Sequence, residues 1–103
     1  MRKNERTLAN RLTELRTLSG WSSKKIAAVA GLSPGHVNAL EHGTWKSPRA
    51  STLESLATLF GVSLDWLVKG EGERASDKDV FRALGKSLAE YEGVQKKSAG
   101  GRP

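Results

Sequence analysis

Asn38 carries a side-chain amide that presents one donor and one acceptor, the pairing needed at the major-groove edge of adenine. Two positions before it, His36 offers an imidazole able to donate to a base edge or a phosphate, and Ala39 supplies a methyl that suits contact with the thymine methyl. Lys24, Lys25, Lys46 and Arg49 add the cations that a phosphate backbone attracts. These types suit recognition of a polyanion and its bases. The chain has no cysteine and only two histidines, His36 and His42. Six positions set them about 240° apart around a helix, so they cannot share a metal there. No phosphate-binding loop, nucleophile elbow or dinucleotide fingerprint is present, so the sequence predicts no catalytic residue, no metal and no cofactor.

The charge around these residues is one-sided. Lys and Arg number 17 against 11 Asp and Glu, a net charge of +6. Residues 1–49 hold Arg2, Lys3, Arg6, Arg11, Arg16, Lys24, Lys25, Lys46 and Arg49 against only Glu5, Glu14 and Glu41, and the second half is neutral. A polyanionic partner is therefore expected to meet the first half. A length of 103 residues with 37% apolar side chains suffices for one domain around one modest core. The absence of cysteine excludes disulfides, and a reducing compartment is compatible with it. The basic start Met1-Arg2-Lys3 leads into polar Asn4-Glu5-Arg6-Thr7, and no apolar run approaches the length of a membrane span. The expectation is a soluble, cytoplasmic protein that engages no membrane.

The periodicity is helical throughout, which predicts an all-α fold. Leu8, Leu12, Leu15 and Leu18 form one stripe of a helix over about 5–18, ended by Gly20. Ser22 caps a short helix over 23–30 that carries Ile26, Ala27, Val29 and Ala30 and closes at Gly31. Ser33 before Pro34 starts a third helix, stopped by Gly43. Beyond the loop over 44–50, Ser51 to Glu54 reads as a capping box opening a helix with Leu53, Leu56, Leu59 and Phe60; Ser63 caps a further short helix. The polar stretch Gly70-Glu71-Gly72-Glu73 reads as a flexible linker. Ser76 or Asp77 opens a sixth helix, and Lys96 onward lacks the apolar residues that order a chain.

The second and third helices, joined through Gly31-Leu32-Ser33, have the marks of a helix-turn-helix: a small residue, Ala27, at the crossing, a glycine at the turn, and Ile26, Ala30, Leu32, Val37 and Leu40 on the inner faces. From Leu8 to Gly70 the chain resembles the lambda-repressor-like helix-turn-helix domains, the XRE family. The likeness is most telling over Ser22 to Gly43 and over Leu59-Phe60-Gly61-Val62-Ser63-Leu64-Asp65-Trp66-Leu67, which looks like the family's closing helix.

That resemblance implies a sequence-specific regulator of transcription, acting as a repressor, whose third helix lies in the major groove of double-stranded DNA and whose two subunits read a palindrome. It places the third helix, Pro34 to His42, in that groove, and Lys24 and Lys25 on the sugar-phosphate backbone. With Val37 and Leu40 turned inward, the helical period projects Gly35, Asn38 and Ala39 outward, with His36 on the flank and His42 at the distal end. Ser23 can meet a phosphate, and the clustered charge of Lys46 and Arg49, in the loop beyond the helix, points to phosphates as well. Members commonly carry glutamine where this chain has Ser23 and Pro34. A proline side chain has no donor, so shape readout gains weight here. The family also pairs an arginine matching Arg16 with a glutamate matching Glu41, which removes Arg16 from the DNA face. Arg2, Lys3 and Arg6 are expected to serve as an arm on the phosphates.

The resulting layout is a five-helix DNA-binding domain over 1–70, a linker over 71–76, a dimer-forming helix over 77–93 and a disordered tail over 94–103. The sixth helix carries Val80, Phe81, Leu84, Leu88 and Tyr91 on one stripe, suited to a homodimer or, in the alternative, to the chain's own core. Small domains of this family also act as antitoxins or adaptors, so a protein partner such as a toxin is the competing reading of the second half.

Overall fold

The computed structural model describes the backbone of residues 7–45 and 47–100 and the side chains of residues 7–45 and 47–94. Six helices follow one another: α1 (Leu8–Ser19), α2 (Ser23–Ala30), α3 (Pro34–Glu41), α4 (Ala50–Phe60), α5 (Leu64–Lys69) and α6 (Asp77–Gly100). No strand occurs among the described residues. None of their helices is long and apolar enough to cross a membrane.

Short-range signals set most of the boundaries. Ser22, Ser33 and Ser63 each hold extended backbone and accept a hydrogen bond from the amide three residues on, at Lys25, His36 and Trp66. This is the N-cap geometry that satisfies an otherwise orphaned donor. At the end of α2, Gly31 takes φ +78°, which lets the Leu32 amide reach back to the Ala27 carbonyl at 2.7 Å and the Gly31 amide to Ala28 at 3.3 Å. The chain thereby reverses tightly enough for α3 to cross α2.

Two starts differ from the sequence pattern. α1 begins at Leu8, later than residue 5, because Thr7 is extended and its hydroxyl accepts from the Asn10 amide. The capping box expected at Ser51 does not form. The first ladder bond of α4 runs from the Leu53 amide to the Arg49 carbonyl at 3.2 Å, and Arg49 is the N-cap without a side-chain bond. Ser51 already lies inside the helix, where the extended backbone of a cap is lost.

The core gathers Leu12 and Leu15 of α1, Ile26 and Ala27 of α2, Val37 and Leu40 of α3, Leu56 and Phe60 of α4, and Trp66 and Leu67 of α5. Val80 and Leu84 of α6 belong to the same cluster. α6 folds back along α4 and also touches α1 and α2, so the beginning of its apolar stripe is taken up by its own domain rather than reserved for a partner. The approach is close: a Cβ on Gly61 would stand 2.6 Å from the Cβ of Ala83. Ser76 caps the helix by accepting from the Asp79 amide.

The segment before α6 is tied down at its second half. Arg74 bonds Asp77 at 2.7 Å and reaches Glu14 of α1 at 3.4 Å, while Ala75 packs against the core. α6 continues to Gly100, past the end at 93 that its apolar pattern predicts. Once a helix is nucleated, each added residue gains a backbone bond, so its ladder can outlast its apolar stripe. The last part of the tail, residues 101–103, lies outside the described residues.

Because Leu84 is buried in the shared core, Leu84→Ala is expected to cost about 2–5 kcal/mol, measured by urea unfolding. Truncation after Gly72 is expected to destabilise the remaining domain as well. An unchanged unfolding midpoint for both variants would show that α6 does not dock.

Candidate nucleic-acid interface

The helix-turn-helix is held by its inner residues. Ile26, Ala27, Val37 and Leu40 are buried, and Ala30 and Leu32 pack partly against them. With Val37 and Leu40 committed inward, the 3.6-residue period turns Pro34, Gly35, His36 and Asn38 to solvent and leaves Ala39 half-buried on the flank. The Asn38 amide group makes no hydrogen bond within the chain among the described residues, so both its polar atoms are available to a ligand. The far end of α3 is occupied by its own cap. The His42 Nδ1–H donates to the Asn38 carbonyl at 2.8 Å, and the Thr44 hydroxyl donates to the Ala39 carbonyl at 3.3 Å.

The start of α2 contributes the second part of the surface. Lys24 and Lys25 are exposed and Ser23 is half-buried. Only the Lys25 amide is capped by Ser22, so the amides of the preceding positions have no intrahelical acceptor and suit an anion. Lys25 is not wholly free: its Nζ lies 4.5 Å from the Trp21 ring centroid. This cation–π contact draws on an i, i+4 spacing that the sequence contains. Arg49 is exposed at the head of α4. Lys46, Arg2, Lys3 and Arg6 lie outside the described residues.

Two basic residues of the same half are structural. Arg16 Nε lies 2.7 Å from Glu41 Oε2, tying α1 to the end of α3, with the glutamate side chain only 9% exposed and the arginine side chain 32%. Arg11 is 5% exposed; its Nε and Nη2 donate to the Leu67 and Val68 carbonyls at 2.8 and 2.7 Å. It thereby covers the carbonyl end of α5 with a cation, as the helix dipole favours. The leucine stripe that predicts α1 gives no sign of this role, because its acceptors lie 56 and 57 residues away.

Trp45, an aromatic that the sequence assigns to the core or an interface, makes a contact that was not readable there. Half-buried against the core, its ring stands 4.7 Å from the His36 imidazole, the planes tilted by 37°. A loop contact nine positions along the chain follows no helical or strand period. Among the described residues no group of three or more His, Cys, Asp or Glu is placed to hold a metal.

An outward α3, a basic α2 start and five packed helices define a helix-turn-helix domain. The helix-turn-helix family model matches residues 12–67. The chain belongs to this family, in its XRE-type branch. It is similar to an HTH-type transcriptional regulator of Deinococcus deserti, DdrOP3, at 38% identity over 63 residues, 61% of this chain and 48% of that protein. The matched segment thus spans about half the length of that relative. No solved structure matches.

Replacing Arg16 by methionine keeps the aliphatic stem and strands the nearly buried Glu41 carboxylate. The expected loss is about 1–3 kcal/mol in urea unfolding. Adding Glu41→Gln to that variant should cost less than the sum of the single effects. Single variants as stable as the parent would show that the pair carries no stability.

Proposed function

We propose that this protein is a sequence-specific regulator of transcription that binds double-stranded DNA through α3, represses by occupying a palindromic operator, and does so as a homodimer. The observation that carries the reading is the outer face of α3: Asn38 and His36 stand exposed on the helix that packs against α2 with its basic start, and the Asn38 amide has no hydrogen-bond partner among the described residues. Family membership supports DNA as the polyanion, and the regulator named for the Deinococcus deserti relative supports transcription as the process. In this arrangement Asn38 pairs with adenine, His36 meets a base edge or phosphate, and Ala39 meets a thymine methyl. Pro34 and Gly35 let the backbone approach without reading bases by hydrogen bond. Ser23, Lys24, Lys25, Lys46 and Arg49 hold the phosphates.

The dimer rests on α6. Phe81 and Val94 are 50% and 64% exposed. An open groove of about 620 Å³ lies where Val29 of α2 and Ser55 of α4 face Tyr91 and Val94 of α6. Apolar surface of this kind suits a second copy. The two recognition helices then enter successive major grooves, about 34 Å apart.

Selection from a random duplex pool at about 100 mM salt tests the central reading. The expected product is a palindrome with half-sites one helical turn apart; a pool without preference would refute it. On the selected site, Asn38→Ala is expected to cost about 1–3 kcal/mol and to relax the choice at one base pair. Arg49→Ala should weaken every duplex alike and lower the salt slope by about one unit. Equal losses for Asn38→Ala on selected and random DNA would remove Asn38 from base readout.

A further inference from the structure

The first turn of α3 is poor in chemistry. Pro34 and Gly35 have no side-chain donor or acceptor, so His36 is the first residue of the recognition helix that can read a base by a side-chain hydrogen bond. His36 is exposed, and an exposed imidazole samples several rotamers, whose loss would weigh against any contact it makes. Here the ring is not left to itself. Trp45 packs partly against the hydrophobic core, which restrains the indole, and the imidazole rests with its centroid 4.7 Å away at a 37° tilt, within the contact range of aromatic pairs. The α3 end of this bridge is also held, since His42 and Thr44 bond the last carbonyls of α3 and lead directly into Trp45.

We propose that Trp45 is a specificity-determining positioning residue, which holds the His36 imidazole in one orientation toward DNA so that choice at the base pair facing His36 depends on a side chain that need not touch a base. The proposal rests on the reading of α3 as the recognition helix and adds to it a determinant in the following loop. Trp21 is a natural contrast. Its ring carries Lys25, a phosphate-directed cation, so its loss bears on general affinity and leaves base choice intact.

The test uses the full chain. Affinities of the parent, His36→Ala, Trp45→Leu, Trp45→Phe and the Trp45→Leu/His36→Ala double variant are measured on the selected operator and on all its single-base changes at one salt concentration. His36→Ala identifies the base pair concerned. Trp45→Leu, which retains apolar packing, should lose about two- to ten-fold of the discrimination at that same base pair, and the double variant should lose no more than His36→Ala alone. Trp45→Phe keeps a ring and should restore most of the preference. In the DNA-free proteins, the His36 ring-proton resonances should be displaced by the indole ring current, return to exposed-histidine positions in Trp45→Leu, and stay partly displaced in Trp45→Phe.

Losses of Trp45→Leu spread evenly over all duplexes, or additive with those of His36→Ala, would overturn the proposal. So would His36→Ala leaving every base preference unchanged, even while Asn38→Ala still alters one and the DNA-binding reading stands. A parent without any preferred sequence refutes the regulator reading itself, and the histidine resonances then report separately whether the ring contact exists.

Discussion

Two helices of eight residues each carry the proposed recognition surface, and neither is long enough to persist alone in water. They exist because Ile26, Ala27, Val37 and Leu40 are buried together with Leu12 and Leu15 of α1. Everything exposed on α3 follows from that burial. Once Val37 and Leu40 point inward, the helical period fixes where His36 and Asn38 point, and the turn at Gly31 fixes the angle at which α3 leaves α2. The orientation of the site is therefore set first by the core, and the Arg16–Glu41 pair and the loop after α3 add to it.

Polar interactions then join the helices that the core alone would leave free to slide. Arg16 with Glu41 links α1 to the end of α3, Arg11 covers the last carbonyls of α5, and Arg74 joins α1 to the start of α6. These contacts change the meaning of the basic first half. Arg11 and Arg16 serve the fold, so the positive charge left for an anion is carried by Lys24, Lys25 and Arg49 among the described residues. Among the described residues the surface is less densely basic than the composition suggests, which gives more weight to the neutral side chains of α3 in the proposed reading.

α6 is buried unevenly. Its first turns complete the core through Val80 and Leu84, passing so close to the end of α4 that Gly61 has no room for a side chain. Phe81 in those same turns and Val94 near the far end stay largely exposed, while Leu88 and Tyr91 are half-buried. The apolar residues of α6 are thus only partly taken up by its own domain, a division that periodicity cannot express because burial at home and burial against a partner demand the same spacing.

The sequence by itself determined the helices and their turn. The serines at 22, 33 and 63, the glycine at 31 and the 3.6-residue recurrence of leucines act within a few residues of themselves, so their consequences are legible without a fold. The inner and outer faces of α3 were legible for the same reason, and the Arg16–Glu41 pair followed from likeness to relatives rather than from spacing. The capping box at Ser51 misled because an equally local signal yielded to a helix ladder beginning at Arg49. Only the tertiary structure decided the Arg11 cover of α5, the docking of α6 and the contact of Trp45 with His36. Each joins side chains whose separation along the chain carries no period, and each depends on how whole helices pack, which is set by the sum of many buried contacts and by no single stretch of residues.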